Sequence, residues 1–298
     1  MAAERSLEAH IQGLPAEQAG LLRFFRALRK KPLGMGGAAV VLIIFLVGLT
    51  APLIAPYDPT AVVMGDRLQG PSLSHPIGTD QIGRDILTRL MYGARVSLTI
   101  SLSAVGVGAT IGALLGMLSG YFRGRFDFIL QRVMDMMQAF PLLIMALTIV
   151  ALLGASTRNV IIAIAIVLVP SYNRLVRGST LATVNYPYIE AARSVGATHV
   201  RILARHILPN ITAPLIVLMT ASFGGAILVE TSLTFLGLGA SPTEPTWGGM
   251  LSVEGRSFWE QAPWMAIAPG VAISLTVLGY NLLGDALRDI WDPALRGR

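Results

Sequence analysis

The sequence predicts an all-α integral membrane protein with six transmembrane helices, and three observations carry that prediction. Of the 298 residues, 53% are hydrophobic and only 13% are charged, whereas a soluble domain carries about a quarter charged residues. Six apolar runs are long enough to cross a hydrocarbon layer about 30 Å thick at about 1.5 Å of rise per residue. Lys and Arg are also distributed unevenly between alternate loops, as topology demands of a multi-spanning chain.

The first run, 34–55, contains no charged residue. Basic residues precede it, as in a signal peptide. It ends in Ala51-Pro52-Leu53-Ile54-Ala55-Pro56 with no small-x-small cleavage site, so a retained signal anchor is expected. Before it, residues 15–31 place Leu21, Leu22, Phe25 and Leu28 on one helical face, with Arg23, Arg26 and Lys30 elsewhere. That pattern predicts an amphipathic helix on the inner leaflet, serving as an anchor or as a contact with a partner subunit.

The second run, 97–120, carries Gly108, Gly112, Gly116 and Gly120. Four-residue spacing makes one smooth helix face against which another backbone packs. No strand precedes these glycines, so a nucleotide-binding turn is excluded. The third run, 129–153, holds Arg132 and Asp135 near its start, three apart on one face and able to pair. A structural ion pair and a transport role are both open there. The fourth run, 159–176, has Pro170 near its end. The fifth, 211–236, has Glu230 near its outer end, facing either the translocation pathway or the headgroup layer. The sixth is 264–284. With the N-terminus in the cytoplasm, 17 of the 23 Lys and Arg fall inside and 6 outside. Both termini are therefore expected in the cytoplasm.

The same composition excludes several classes of function. There is no cysteine, hence no disulfide or thiolate metal site. His10, His75, His199 and His206 are scattered, and no metal site is expected from their spacing. The net charge of +6 follows from topology and does not call for nucleic acid. No phosphate-binding loop is present, and the two lysines, Lys30 and Lys31, precede the first span. If ATP drives the protein, another polypeptide hydrolyses it. An ion-coupled secondary carrier would favour broken helices and midplane charges. An intramembrane enzyme would need a nucleophile and base, and Ser171 beside Tyr172 has no histidine partner.

The longest cytoplasmic loop, 177–209, reads as a helix–Gly–helix knob. Asn185 is placed to cap a short helix with Pro187 in its first turn. Ile189, Ala192 and Val195 recur three apart, and Gly196 permits a sharp bend. A second short helix, about 198–207, sets Val200, Leu203 and Ile207 on one side, and Pro209 then opens the next span. Chemistry alone leaves two readings, an interfacial helix pair or a docking surface.

Here the residues carry a resemblance. Glu190-Ala191-Ala192, Gly196 and Ile207-Leu208-Pro209 resemble the EAA loop of ABC importer permeases. The ending His206-Ile207-Leu208-Pro209-Asn210 is similar to the peptide-type form, where the general pattern has I-x-L-P. Three further stretches resemble the "C" permeases of dipeptide and oligopeptide systems. One is His75-Pro76-Ile77-Gly78-Thr79-Asp80 with Gly83-Arg84-Asp85, Arg89 and Gly93-Ala94-Arg95. The second is Phe235-Leu236-Gly237-Leu238-Gly239 with Pro242, Pro245 and Trp247-Gly248. The third is Asn281-Leu282-Leu283-Gly284-Asp285 with Leu287-Arg288-Asp289.

The resemblance covers about residues 20–298 and implies a type I importer permease fold, with a cytoplasmic segment 1–33, a first span 34–55 and an external segment 56–96. A five-helix core 97–284 and a cytoplasmic tail 285–298 complete it. It implies alternating access in the bacterial inner membrane, driven by two partner ATPase subunits that bind ATP and Mg, with no cofactor on this chain. It further implies a second, homologous permease and an external binding protein. Glu190, Ala191, Ala192, Gly196, Ile207, Leu208 and Pro209 would couple to the ATPases. Glu230, Asp80, Arg84, Asp85 and Trp247 are candidates for the pathway or external mouth. Dipeptides, oligopeptides, glutathione and nickel complexes are the family's cargoes, and nothing in the sequence selects among them.

Overall fold

A computed structural model describes residues 27–239, 244–252 and 257–291. The predicted amphipathic helix at 15–31 lies almost wholly outside the described residues. Helix α1, Pro32–Ile54, is apolar throughout. Helix α2, Ile86–Phe122, starts eleven residues before the apolar run expected for it. The reason is Asp85, whose carboxylate accepts from Thr88 N at 2.7 Å and caps the helix there.

The expected third span is where sequence and structure part. Residues 129–153 do not form one helix: α3, Gly124–Ala139, and α4, Leu142–Leu153, meet at 95°. Pro141 is the cause. It disfavours helix at the preceding residue, and Phe140 and Pro141 are both extended (φ −86, ψ 138 and φ −56, ψ 130).

Helix α5, Thr157–Val184, follows. Then come the short α6, Pro187–Ser194, and α7, His199–Ile202. A wide turn at Leu203–Ile207 runs straight into α8, Leu208–Phe235. Lateral helix α9, Trp247–Leu251, and the long α10, Trp264–Trp291, complete the chain. Among the described residues there is no strand, only an isolated bridge between Thr79 and Asp85.

The packing fixes the directions of the helices. A methyl group on Gly108 would lie 2.8 Å from Ala165 O, one on Gly112 2.6 Å from Tyr172 Cβ, and one on Gly120 2.9 Å from Arg177 O. The partners advance in step, so α2 and α5 run parallel with their backbones in close contact. The chain must therefore return between them, and α3 and α4 together make that crossing as a broken span. Gly34 faces Ala286 and Gly37 faces Gly279 and Leu282, so α1 runs antiparallel to α10, and Gly48 faces Arg95, so α1 ends beside the first turns of α2. Gly224 faces Val277 while Gly284 faces Ala221, so α8 is antiparallel to α10 as well. Three crossings run each way, and the described ends lie on one side of the bundle. Lys31 Nζ meets Asp289 Oδ2 there at 2.7 Å.

Candidate functional site

Three regions of the bundle carry the polar chemistry. The first is the knob between α5 and α8. Asn185 does not cap α6. It ends α5 instead: its Nδ2 donates to Leu181 O at 2.9 Å and its Oδ1 accepts from Arg123 Nη2 at 3.3 Å. Pro187 then occupies the first turn of α6, where its missing N–H costs nothing. Gly196 ends the helix with φ +83, Gly196 N donating to Arg193 O at 2.9 Å and Ala197 N to Ala192 O at 3.0 Å. That pair of bonds is the Schellman termination, which calls for glycine at this position. Thr198 starts α7 by accepting from Arg201 N at 3.3 Å.

Pro209 stands in the first turn of α8 and opens that span, as its position in the sequence suggests, but no break precedes it. The wide turn over Leu203–Ile207 separates the Arg205 carbonyl from the proline ring, so α7, the turn and α8 form one rod.

The knob is anchored by Ile189, Ile202, Leu203 and Ile207, all buried in one cluster with Met117, Tyr121 and Val176. Tyr121 Oη and His199 Nδ1 are 2.7 Å apart, and the Arg193 guanidinium lies over the Tyr121 ring at 5.4 Å. The two apolar triplets of the sequence divide differently from their spacing. Ile189, Leu203 and Ile207 face inward, while Val195 and Val200 are 85% and 75% exposed. Tyr186, Tyr188, Glu190 and Ala191 are exposed too. The knob therefore has a packed base and a bare, partly apolar crown.

The second region is at the opposite end, around the start of α2. Asp80 accepts from Arg84 Nε at 2.5 Å, Arg84 N at 2.9 Å and Ile82 N at 3.0 Å, with Arg89 Nε at 3.8 Å. Asp85, besides its cap, lies 2.9 Å from His75 Nδ1, and Tyr57 stacks on that ring. Trp264 Nε1 donates to Thr79 O at 3.1 Å and Trp247 Nε1 to Leu90 O at 3.0 Å. Gly78 and Gly83 both have positive φ, and a methyl on Gly83 would strike Val63 O. His75, Asp80, Arg84, Asp85, Arg89 and Trp247 are all buried. These side chains meet one another and tie the loop, α9 and α10 into one cap.

The third region is a groove along α8. A cavity of about 300 Å³ is lined by Leu142, Ile164, Leu168, Ser222, Gly225 and Val229. A larger one of about 680 Å³, nearer the knob, is lined by Leu175, Asn210, Pro214, Leu218, Ala221, Asp285, Arg288 and Trp291. The two share one stripe of α8 and one face of α5, where Leu168 and Leu175 are seven residues apart. Glu230 lines neither cavity. It is fully buried and accepts from Thr234 Oγ1 at 3.1 Å.

The broken third crossing is braced on α5. Asp127 takes Arg177 through Nε and Nη2, both at 2.6 Å, and Gln131 donates to Asn173 at 3.0 Å. Asp135 meets Arg132 at 4.0 Å and Arg174 at 3.0 Å. Sequence reasoning paired Asp135 with Arg132 and missed Arg174, because the partner on α5 becomes visible only when the helices are packed. The Tyr121–His199 link was missed for the same reason. Among the described residues, no group of three acidic or histidine side chains is arranged to hold a metal ion.

The described residues thus form a membrane-type helical bundle with a bare knob at one end, a closed polar cap at the other and a groove along α8. The chain belongs to the binding-protein-dependent transport system inner membrane components, the ABC importer permeases, in the peptide and nickel branch. That family's profile matches residues 112–297. The profile of the N-terminal TM domain of oligopeptide transport permease C matches residues 21–71. The chain is 46% identical over 275 residues to the glutathione transport system permease protein GsiD of Escherichia coli O6:K15:H31, covering 92% of this chain and 90% of that one. The GsiD proteins of Shigella boydii serotype 4 and Shigella sonnei are equally similar over the same span. It is thus a permease subunit of an ABC importer, a multi-pass membrane protein and a transport component rather than an enzyme. Permeases of this class work with ATPase and binding-protein partners.

Proposed function

We propose that this chain forms half of the translocation pathway for small peptides, dipeptides and glutathione among them, opening alternately to the two sides of the membrane. A second, homologous permease supplies the other half. Two separate ATPase subunits hydrolyse ATP, and an external binding protein delivers cargo. The groove along α8 is the pathway wall of this chain, and the 46% identity to glutathione permeases supports the cargo class. The knob end is cytoplasmic, in keeping with the Lys and Arg distribution.

The observation that carries the coupling mechanism is the knob's crown. Glu190, Ala191, Val195 and Val200 are exposed on a base fixed by buried isoleucines. An apolar exposed surface on a rigid mount is what a docking partner needs. Glu190, Ala191, Ala192 and Gly196 meet the ATPase. Ile207, Leu208 and Pro209 pass its movement into α8, because α7 and α8 are one rod. The cap at the other end holds the external mouth in shape. Asp80, Arg84, Asp85 and Trp247 do so through contacts with the chain itself, and Glu230 holds the outer part of α8.

The test is Gly196→Leu in the complete importer reconstituted in liposomes. Nothing lies within 4 Å of a methyl at Gly196, so the substitution strains the bend without a steric clash. Assembly is expected to persist while ATP hydrolysis no longer drives uptake. Coupled uptake at the parent rate, with normal ATPase activity, would refute the coupling role.

A further inference from the structure

We propose that the cytoplasmic end of the α8 groove binds the two charged termini of a peptide as it leaves, Asp285 taking the ammonium group and Arg288 the carboxylate. This rests on reading the groove as the pathway and adds to it a site for a zwitterion.

Both residues line the 680 Å³ cavity from α10, one turn apart. Spacing of three residues favours pairing between an acid and a base. Yet among the described residues neither Asp285 nor Arg288 is engaged in an ion pair or hydrogen bond. The adjacent carboxylate behaves differently: Asp289 is held by Lys31 at 2.7 Å and locks α10 to α1. So the last turns of α10 carry one acid used by the fold, and one acid and one base left facing a cavity. The remaining walls are apolar (Leu175, Val217, Leu218, Ala221), with Asn210 at the knob end, whose Nδ2 already donates to His206 O at 2.6 Å and to Tyr188 Oη at 3.2 Å and which therefore offers the cavity only an acceptor oxygen.

A carboxylate holds an ammonium group as a point charge, and a guanidinium holds a carboxylate through two parallel hydrogen bonds. Side chains one turn apart start about 5–6 Å from each other, and the ends of an extended dipeptide lie at most about 7 Å apart. A ligand with both charges satisfies both residues at once. Both residues are exposed at the rim of the cavity, so a ligand with one blocked end forfeits one of the two charge-assisted contacts and binds correspondingly less well.

The chain has no cysteine, so Ala213→Cys places a single thiol on this chain in the wall of the cavity. The importer, assembled with its partner subunits in phosphatidylcholine nanodiscs, is labelled with an uncharged water-soluble maleimide, and labelling of this chain is read by mass spectrometry. Alanylalanine is expected to slow labelling, and its N-acetylated and C-amidated forms are not. Asp285→Asn and Arg288→Gln should each raise the alanylalanine concentration needed by about tenfold, while Arg288→Lys, which keeps the charge but not the paired hydrogen bonds, should fall between the parent and Arg288→Gln. Equal protection by the blocked peptides, or protection unchanged in both variants, overturns the site. So does protection that appears only when phosphatidylethanolamine replaces phosphatidylcholine, which would make the ligand a lipid headgroup. The pathway reading fails separately, if ATP does not change the labelling rate of Ala213→Cys in the absence of peptide. Variants that keep that ATP response are folded and assembled.

Discussion

The knob and the cap lie at opposite ends of the same bundle and use their polar residues in opposite ways. In the cap, Asp80, Arg84, Asp85, Arg89 and His75 turn inward and meet one another. In the knob, Glu190 and its neighbours turn outward, and the anchoring falls to isoleucines and to the Tyr121–His199 contact. Both stretches carry a resemblance in sequence to motifs of the family, yet such a resemblance does not say which way a side chain points. A motif whose charges are satisfied within the chain serves shape. A motif whose side chains are left bare serves a partner.

This contrast predicts different consequences of mutation, and the cap should give the largest. Asp80→Ala leaves Arg84 and Arg89 buried without their shared carboxylate, a loss on the order of 3–5 kcal/mol. Thermal unfolding in detergent should show a large drop in Tm, with little folded protein recovered. A variant as stable as the parent would mean that the cap's charges are not structural. Next comes the packing between α2 and α5. Gly112→Leu forces a side chain into Tyr172 and the Val169 carbonyl and should cost at least about 1–3 kcal/mol. Gly106→Ala on the same helix places a methyl group with nothing within 4 Å and should not lower Tm.

The smallest stability effect belongs to the knob. Glu190→Ala should change stability by less than about 0.5 kcal/mol, as exposed substitutions do, while uptake by the assembled importer falls. Unaltered uptake would detach Glu190 from the docking surface. A drop in stability would make the knob resemble the cap and erase the contrast.

Much of this architecture was legible in the sequence, because apolar length and local turn chemistry are local properties. Pro187 and Gly196 act where their spacing places them, since each controls its own backbone. The spans α1, α5, α8 and α10 were legible from hydropathy. The break at Phe140–Pro141 had two signals, the proline and the polar residues Gln131, Arg132, Asp135 and Gln138 before it, but the apolar residues among and after them read as one span. Pro170, Pro214 and Pro269 also lie in apolar runs and stay inside helices. A proline therefore marks a weak point, and packing against neighbours decides whether the helix opens there. The reach of Arg174 to Asp135, the enclosure of Glu230 and the inward turn of the cap's charges depend on which helices touch, which no local pattern encodes. The division between inward Ile189 and outward Val195 has the same origin.

The most direct test of the docking claim uses the absence of cysteine in this chain. Val200→Cys places a thiol on the bare crown of the knob, and Leu73→Cys places one on an exposed residue in the cap loop at the opposite end. Each variant, in the assembled importer, is treated with a short thiol-to-amine cross-linker. Position 200 should cross-link to an ATPase subunit with a yield that changes on adding ATP, and position 73 should not. Cross-linking of an ATPase to position 73, with none at position 200, would contradict both the docking surface and the orientation of the chain in the membrane.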